Sequence, residues 1–390
     1  MRTFMQQNWG IKMKLNEKQN VIPGIGSFVL NLKSNKINMK RGISAKFFIA
    51  FLSTVIICNS CKEGPDKPDV SGINIKLDVK RFEKEFFSLD TNNLDQGFEA
   101  LWQSESHDFM SDYTGRLLGL NGVDTAKWDM LIKQFIREYK PIYDSTVVLD
   151  KEVEKAAQDV KMAFRYVKYY FPKYKLPEQF ITFVGPIDAF AYGATGGSGE
   201  IITNTAICAG LQLHLGSNSL VYKSQAGQEL YPEYISQRFT TDYIVVNSIK
   251  TIIDDIHPSL QPGAKMIDII ADHGKRMYLL DLILPETEET LKLGYSEAQL
   301  KGCKESEGFI WNYFTENNLL FETDLLKTRS FLNDGPSTPE FGLGSPGFIS
   351  LFTGRELIRA YMKKNPKTTI DELLALDGQK ILTGSGYKPR

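Results

Sequence analysis

The first strong pattern in the chain is an apolar run, Phe47–Ile57, in which only Ser53 and Thr54 are polar. Basic residues stand before this run from Met39 onward, and the polar stretch CNSCKEGPDKPD follows it. A run of eleven residues is too short to cross a bilayer as a helix. It has the length of the hydrophobic region of a secretory signal peptide. The pattern therefore predicts export.

Cys61 is the candidate membrane anchor. The small residue Ser60 precedes it, as in the signals of bacterial lipoproteins, where a peptidase cuts before a cysteine that already carries a diacylglycerol. Cys58 fits less well, because bulky Ile57 precedes it. We therefore predict a signal peptide over 39–60, lipidation of Cys61 and a polar tether over 61–72. A plain secretory signal and an uncleaved anchor are the alternatives.

Residues 1–38 do not fit this scheme, because a signal peptide normally begins at the terminus of the chain. We predict that Met39 is the true start, and that residues 1–38 come from a start codon assigned too far upstream. The alternative is a real extension of 38 residues.

Beyond the tether, some segments have the two-residue period of strands and others have the 3.6-residue period of helices. Apolar and polar residues alternate over Ile73–Val79, which predicts a half-buried strand. Apolar residues recur every three or four positions over 150–171, which predicts an amphipathic helix that Pro172 ends. The stretch 179–216 has strand-like segments around a glycine-rich turn. We interpret it as a small antiparallel sheet.

The rest of the chain has helical spacing. We predict helices from about residue 231, over Met266–Leu284, from a capping box at Ser296 through Trp311, and up to Met362. We find no internal repeat and no low-complexity linker. Residues 73–390 are therefore expected to form a single α+β domain, mainly helical with a small antiparallel sheet.

Composition and charge limit the function classes. Of the 46 Lys and Arg and 47 Asp and Glu residues, nine basic residues and one acidic residue lie in 1–60, so the remainder has a formal charge of −9. An acidic body lacks the basic face that nucleic-acid binding needs. The four cysteines, Cys58, Cys61, Cys208 and Cys303, do not indicate a disulfide framework.

The sequence offers few groups for catalysis or metal binding. The four histidines are scattered, without HExxH, HxH or CxxC spacing, and no Gly-x-Ser-x-Gly motif occurs. The histidines are His107, His214, His257 and His273. One region could hold a cluster, although most such carboxylates are solvated or paired; it contains Asp254, Asp255, His257, Asp268, Asp272 and His273. We assign no catalytic, cofactor-binding or metal-binding residue, and we expect no cofactor.

Four segments together resemble the GldB family, the gliding-motility lipoproteins of Bacteroidetes. They are the signal with Cys61, the stretch IKLDVKRFE from Ile75, the stretch HGKRMYLLDLILP from His273, and the end of the chain from PGF at Pro346 to RAYM at Arg359. The resemblance covers roughly 39–390. It implies a cell-envelope lipoprotein associated with the gliding machinery, and it names no reaction.

The order of small sheet, helix, second helix and later helix is also similar to zinc peptidases of the gluzincin type. Such enzymes carry HExxH on the first helix and a glutamate zinc ligand on the second. The corresponding stretch here is Asn247–Thr251, and His273 takes the place of the glutamate. Both histidines and the general base are absent. The resemblance therefore implies a degenerate scaffold, kept for binding and without zinc chemistry.

We therefore expect a lipid-anchored envelope protein with a structural or assembly role in gliding and without catalysis. Its partners would be the membrane, through Cys61, and envelope proteins of the machinery. A divergent hydrolase, acting through the histidine and aspartate region defined above, is one alternative. A surface lipoprotein that binds peptide or glycan in an aromatic groove is the other. The sequence does not distinguish the inner membrane from the outer membrane.

Overall fold

The structure is a computed structural model, and it describes residues 67–191, 197–260 and 263–390. Residues 64–390 form one compact unit. The predicted signal peptide, the start at Met39, Cys61 and the first part of the tether lie outside the described residues. Within the described ranges, no helix combines the length and the apolar character that a membrane crossing requires.

A small mixed sheet lies at the centre of the N-terminal half. Its strands run in the order β1-β2-β4-β3, with β2 parallel to both β1 and β4, and β3 antiparallel to β4. The bounds are β1 Asp78–Arg81, β2 Gln179–Phe183, β3 Glu200–Ile202 and β4 Ala206–Gly210. The predicted α+β class is confirmed. Among the described strands, the predicted antiparallel pairing is found between β3 and β4, whereas β2 and β4 pair in parallel. The parallel partner β1 lies about a hundred residues before β2, and no local pattern shows this pairing.

The N-terminal helices cover the sheet and share an aromatic core. Phe82, Phe109 and Tyr113 are fully buried, and their rings meet edge to face or tilted, arrangements that aromatic pairs favour. The α-helices are α1 Phe82–Phe87, α2 Leu94–Ser104, α3 His107–Asp112, α4 Trp128–Val147 and α5 Asp150–Tyr170. Helix α5 matches the predicted amphipathic segment, and its apolar stripe is buried.

The C-terminal half is helical, as the spacing predicts. The capping boxes at Ser296 and Thr369 are present. The α-helices are α6 Leu220–Lys223, α7 Gln225–Leu230, α8 Glu233–Ser236, α9 Asp242–Ile256, α10 Met266–Ile283, α11 Glu289–Leu293, α12 Glu297–Glu305, α13 Glu307–Glu316, α14 Leu325–Leu332, α15 Ser350–Lys364, α16 Ile370–Ala375 and α17 Gly378–Ser385.

Helices α10 and α15 form the closest helix pair of this half. Gly274 on α10 faces Gly354 on α15, and a Cβ atom on either glycine would overlap a backbone oxygen of the opposite helix. Small residues at a crossing allow the two backbones to approach. Glycine lowers helix propensity, so we conclude that its use here sets the distance between the two helices.

A buried ion network joins α10, α11 and α15. Arg355 donates from Nε and Nη2 to the two oxygens of Asp281 at 2.8 and 3.1 Å. Arg359 and Lys292 also lie 2.9 and 2.7 Å from Asp281, and Arg355 reaches Glu289 at 2.9 Å. Burial raises the pKa of Asp281, but the three cations outweigh burial and leave that pKa below its usual range. This network, which we call the Arg355 network, fixes α15 on α10.

Candidate functional site

A cavity of about 460 Å³ opens between α8, the turn from α11 to α12, and two loops of the C-terminal half. This volume falls within the range of small-molecule pockets. Three aromatic side chains line the cavity, together with an arginine, two acids, two amides, two leucines, and glycine and proline residues of the loops. The lining includes Glu233, Tyr234, Arg238, Leu293, Gly294, Tyr295, Asp334, Phe348 and Leu351. We call this cavity the cleft.

The loop wall of the cleft is fixed by its own hydrogen bonds. Thr338 Oγ1 donates to the Pro346 carbonyl at 2.7 Å, and Ser345 Oγ donates to the Thr338 carbonyl at 2.9 Å. Phe348 has a φ of 57°, an uncommon and strained conformation for a bulky residue. It is held there because its N–H donates to Asn333 and its carbonyl accepts from Tyr295. These hydrogen bonds hold the loop wall of the cleft in one conformation.

Arg238 supplies the positive charge of the cleft. Its Nη2 donates to Asp334 in an ion pair, while Nε and Nη1 have no hydrogen-bond partner among the described residues. Gly294, with a φ of +75°, lies against the guanidinium, and a Cβ there would come within 3.1 Å of Arg238 Cδ. The absence of a side chain at this glycine leaves room for the arginine.

Lys250, on α9, adds a second cation nearby. Burial and, to a smaller extent, the charge of Arg238 lower the pKa of its ammonium to about 8, against the opposing effect of Asp334, Asp254 and Glu200. In the described part of the chain, no hydrogen bond or ion pair reaches its Nζ. Lys250 is half-buried, and an ammonium that is partly withdrawn from water without a partner costs stability. Such perturbed groups concentrate at functional sites.

A buried polar chain lies on the edge strand β3, beneath Lys250. His214 Nε2 lies 2.7 Å from Glu200 Oε1, and Ser198 donates to Glu200 Oε2 at 2.7 Å. His214 Nδ1 lies 2.9 Å from the carbonyl of Thr240. A carbonyl only accepts, so Nδ1 carries a proton, and one further proton lies between Nε2 and Glu200. Each polar atom is thereby satisfied, which favours a structural role for His214.

The predicted histidine and aspartate region divides into separate contacts. His257 Nε2 lies 2.8 Å from Asp272, and Arg276 joins Asp272 at 2.9 Å and pairs with Asp254. The other carboxylates point elsewhere. Asp268 accepts from the Gly378 N–H at 2.9 Å, and Asp255 accepts from Tyr174 at 2.6 Å. In the described ranges, no three His, Cys, Asp or Glu side chains are grouped so that they could hold a metal ion.

His273 lies away from that ion network and towards the cleft. Its Nδ1 is 2.9 Å from Ser350 Oγ, and its ring meets the ring of the cleft residue Phe348 edge to face at 5.0 Å. Burial lowers the pKa of His273 to about 4, so the ring is neutral at pH 7. His107 is exposed and contacts Trp102. Cys208 and Cys303 are buried free thiols whose pKa values burial raises.

The positions aligned with a zinc site lie on neighbouring helices. Asn247–Thr251 is on α9 and His273 is on α10, and these two helices pack together, with α9 also against β3. This packing of two helices is compatible with a degenerate gluzincin scaffold and does not test it, so the scaffold stays a prediction. Sequence reasoning missed Lys250 and Arg238 as site residues. A signal was present for Lys250, because it is the single charged residue between Tyr243 and Ile253.

Comparison with known proteins gives a family. No curated protein and no solved structure matches the chain. A family model described as gliding motility protein GldB, with a short name that marks lipoproteins, matches residues 63–389. This match covers most of the chain and agrees with the resemblance expected from the sequence. The chain therefore belongs to the GldB family of gliding motility proteins.

Proposed function

We propose that this protein is a lipid-anchored component of the cell envelope that serves the gliding machinery in a structural or assembly role, without catalysis. The observation that carries the proposal is the family match over residues 63–389, which begins two residues after Cys61. The matched region is thus the part that would remain after cleavage before Cys61.

The start of the described chain supports a short tether. Lys67 forms an ion pair with Glu286, just beyond the end of α10, at 2.5 Å. Lys67 follows Cys61 by six positions, a span of about 20 Å at full extension. A lipidated Cys61 would therefore hold this end of α10 close to the membrane surface.

The contacts of the candidate catalytic groups support a role without catalysis. His214 and His257 are each bound to a carboxylate, and the aspartates near α9 and α10 pair with arginine, backbone N–H or tyrosine. On α9, Thr251 Oγ1 donates to the backbone carbonyl of Asn247. These contacts hold the helices together, which accounts for the groups by a structural role.

A surface lipoprotein that binds a small ligand is the second candidate, and the cleft favours it. Tyr234, Tyr295 and Phe348 supply aromatic surface beside the donors of Arg238. This candidate is compatible with an assembly role, because an assembly factor must recognise a partner.

The test is deletion of the gene in its native host, followed by complementation. We expect the deletion strain to lose gliding, and the unaltered gene to restore it. Cys61→Ser should abolish the acyl mass on the mature N-terminal peptide, release the protein from the membrane and fail to restore gliding. The matched control is Cys58→Ser, which should behave as the unaltered protein. A deletion strain that glides normally would contradict the motility role, and a Cys61→Ser protein that keeps its acyl mass would contradict the anchor.

A further inference from the structure

The C-terminal part of α5 and the loop after it are basic in a chain that is otherwise acidic. Residues 160–177 contain five Lys and Arg residues and no Asp or Glu. The acidic residues of α5 all precede Val160. The chain after Ser60 has a formal charge of −9, so this segment stands out against the rest of the surface.

Three of these cations share one face of α5 with two exposed apolar side chains. Lys161, Arg165 and Lys168 follow one another at spacings of four and three positions, which places them on the same side of the helix. Met162 and Tyr169 lie beside them, seven positions apart, and are 46% and 50% exposed. We call these five residues the α5 face.

The fold does not neutralise the cations of the α5 face. Among the described residues, none of the three forms an ion pair, and Lys168 Nζ donates to the Pro172 carbonyl at 2.8 Å. The helix dipole favours cations in the last turn. It accounts for Lys168, but not for Lys161, which lies more than two turns before the end of α5.

The two lysines beyond the helix have a different environment. Lys173 and Lys175 line a second cavity together with Asp108, Asp112 and Asp255. Their charge faces these carboxylates, so we do not count them in the α5 face.

The described chain begins beside the α5 face. In addition to its ion pair at the end of α10, the ammonium of Lys67 contacts the side chain of Tyr166. Tyr166 lies four positions after Met162 and three before Tyr169, so it borders both on the helix surface. Lys67 follows Cys61 by six positions. A lipid on Cys61 would therefore hold this edge of the face within about 20 Å of the bilayer.

A membrane surface matches the chemistry of the α5 face. Anionic headgroups strengthen binding by about fivefold for each Lys or Arg near the surface. Tyrosine rings favour the level of the headgroups, and an exposed apolar side chain gains by entering the boundary with the acyl chains. An acidic protein would also attract the cations. The tether favours the membrane, because the anchor brings the bilayer to this side of the domain.

We propose that the α5 face docks on the membrane that holds the anchor. Lys161, Arg165 and Lys168 contact anionic phospholipid headgroups, and Met162 and Tyr169 enter the interfacial layer. This contact fixes the orientation of the domain, which a flexible tether alone leaves free. The choice of a membrane as the partner rests on the proposed anchor, but the docking surface belongs to the folded domain and is testable without the lipid.

The experiment is co-sedimentation of the chain 61–390, carrying Cys61→Ser, with lipid vesicles. Residues 64–390 form one compact unit with its own hydrophobic core, so this chain keeps the folded part and lacks the apolar run Phe47–Ile57. The vesicles are phosphatidylcholine alone, or phosphatidylcholine with an equal part of phosphatidylglycerol. We expect binding to the anionic vesicles alone, against the net charge of the protein. Added salt should weaken it, because ions screen exposed charges.

This design separates the docking surface from the anchor. The tested chain carries no lipid, so its binding does not depend on whether Cys61 is acylated in the cell. The acyl mass of the mature protein decides that question independently.

Variants assign the binding to the α5 face. Lys161→Gln with Arg165→Gln and Lys168→Gln should weaken binding to anionic vesicles by about a hundredfold, because three charges near the lipid are lost. The matched control removes three cations from exposed pairs outside the face and should leave binding unchanged. It combines Arg116→Gln, Lys133→Gln and Lys140→Gln.

Two single variants complete the test. Lys168 is exposed, so Lys168→Gln replaces the triple variant should that variant fail to fold, with an expected loss of about fivefold. Tyr169→Ser should cause a smaller loss that persists at high salt, because apolar contact with lipid is not screened. Equal binding to both kinds of vesicle, or equal losses in the triple variant and its control, would overturn the proposal. Absence of binding would also overturn it and leave an acidic protein as the partner of the face.

Discussion

The Arg355 network and the cleft contain the same kinds of charged residue at different depths: Arg355, Lys292 and Asp281 are buried, whereas Arg238 and Asp334 are 21% and 26% exposed. In the network, Arg355, Arg359 and Lys292 each lie within 3 Å of Asp281. In the cleft, Arg238 uses one nitrogen on Asp334. Lys250, on α9 and outside the lining of the cleft, has no ion pair in the described part of the chain. The shared carboxylate of Asp281 joins three cations and so holds the helices together, although Arg355 Nη1 and Arg359 Nε stay without a hydrogen-bond partner among the described residues. The cations near the cleft have no such common partner in the described part of the chain.

The largest effect should come from breaking the network. Arg355→Met should lower the free energy of unfolding by roughly 3–5 kcal/mol, because it leaves Asp281 and Glu289 short of a buried partner. Denaturant unfolding monitored by circular dichroism measures the change. The control Arg116→Met removes an exposed arginine and should change stability by about 0.5 kcal/mol or less. Equal effects of the two substitutions would show that the network contributes no more than a surface pair.

The next effect should come from separating the helices that carry the network. Gly274→Ala should lower the free energy of unfolding by about 3 kcal/mol, because the new methyl group meets the backbone of Gly354. Gly302→Ala, on α12 with open space around it, should instead raise stability by up to about 1 kcal/mol. A stable Gly274→Ala protein would mean that α10 and α15 can move apart without cost.

The substitution Lys250→Met should raise the free energy of unfolding, in contrast to Arg355→Met and Gly274→Ala. The pKa of Lys250 is about 8 in the folded protein and about 10.4 in an unfolded chain, so the folded state binds its proton more weakly. Below pH 8 the charge therefore opposes folding, and this cost disappears as the pH rises from 8 to about 10.4. We expect Lys250→Met to raise stability at pH 7 by about 2 kcal/mol, after allowance for partial exposure.

The pH dependence provides the control for that prediction. The stability difference between Lys250→Met and the unaltered protein should fall towards zero as the pH approaches about 10.4. Lys155→Met, on an exposed pair with Asp159, should show no such dependence. Loss of stability in Lys250→Met at pH 7 would mean that the ammonium has partners that stabilise the fold.

The smallest effect should come from the rim of the network. Lys304 pairs with Glu289 at 2.6 Å but is half exposed. Lys304→Met should therefore lower the free energy of unfolding by about 1 kcal/mol or less. Denaturant unfolding of Lys304→Met and Arg355→Met under the same conditions compares the two losses of stability. A loss as large as that of Arg355→Met would place Lys304 among the buried partners.

The sequence predicts those elements that one local pattern determines. The stripe of α5, the capping boxes at Ser296 and Thr369 and the end of α10 follow from spacing and end signals. It does not predict the parallel pairing of β1 with β2, because parallel strands need long connections and carry no turn signal. It indicates a candidate region around His257 and Asp272, and the structure places those groups in an ion network.

The sequence does not predict the cleft. Arg238, Tyr295, Asp334 and Phe348 come from four separate segments. Only the packing of those segments makes them neighbours. Lys250 alone had a local signal, as a charge within an apolar helix. Such a signal does not show whether another segment supplies an ion-pair partner. In the described residues, no hydrogen bond or ion pair is formed by Lys250 Nζ.

The most direct test of the account is a double substitution in the native host. Arg238→Gln removes the positive charge of the cleft lining and Lys250→Met removes the unpaired charge on α9, while Arg116→Gln with Lys155→Met removes two exposed charges. Gliding speed and the amount of membrane-bound protein are measured in both strains. The account predicts normal amounts of protein in both, with gliding impaired in the cleft strain alone. Normal gliding in the cleft strain would contradict the claim that the unpaired cations are kept for function.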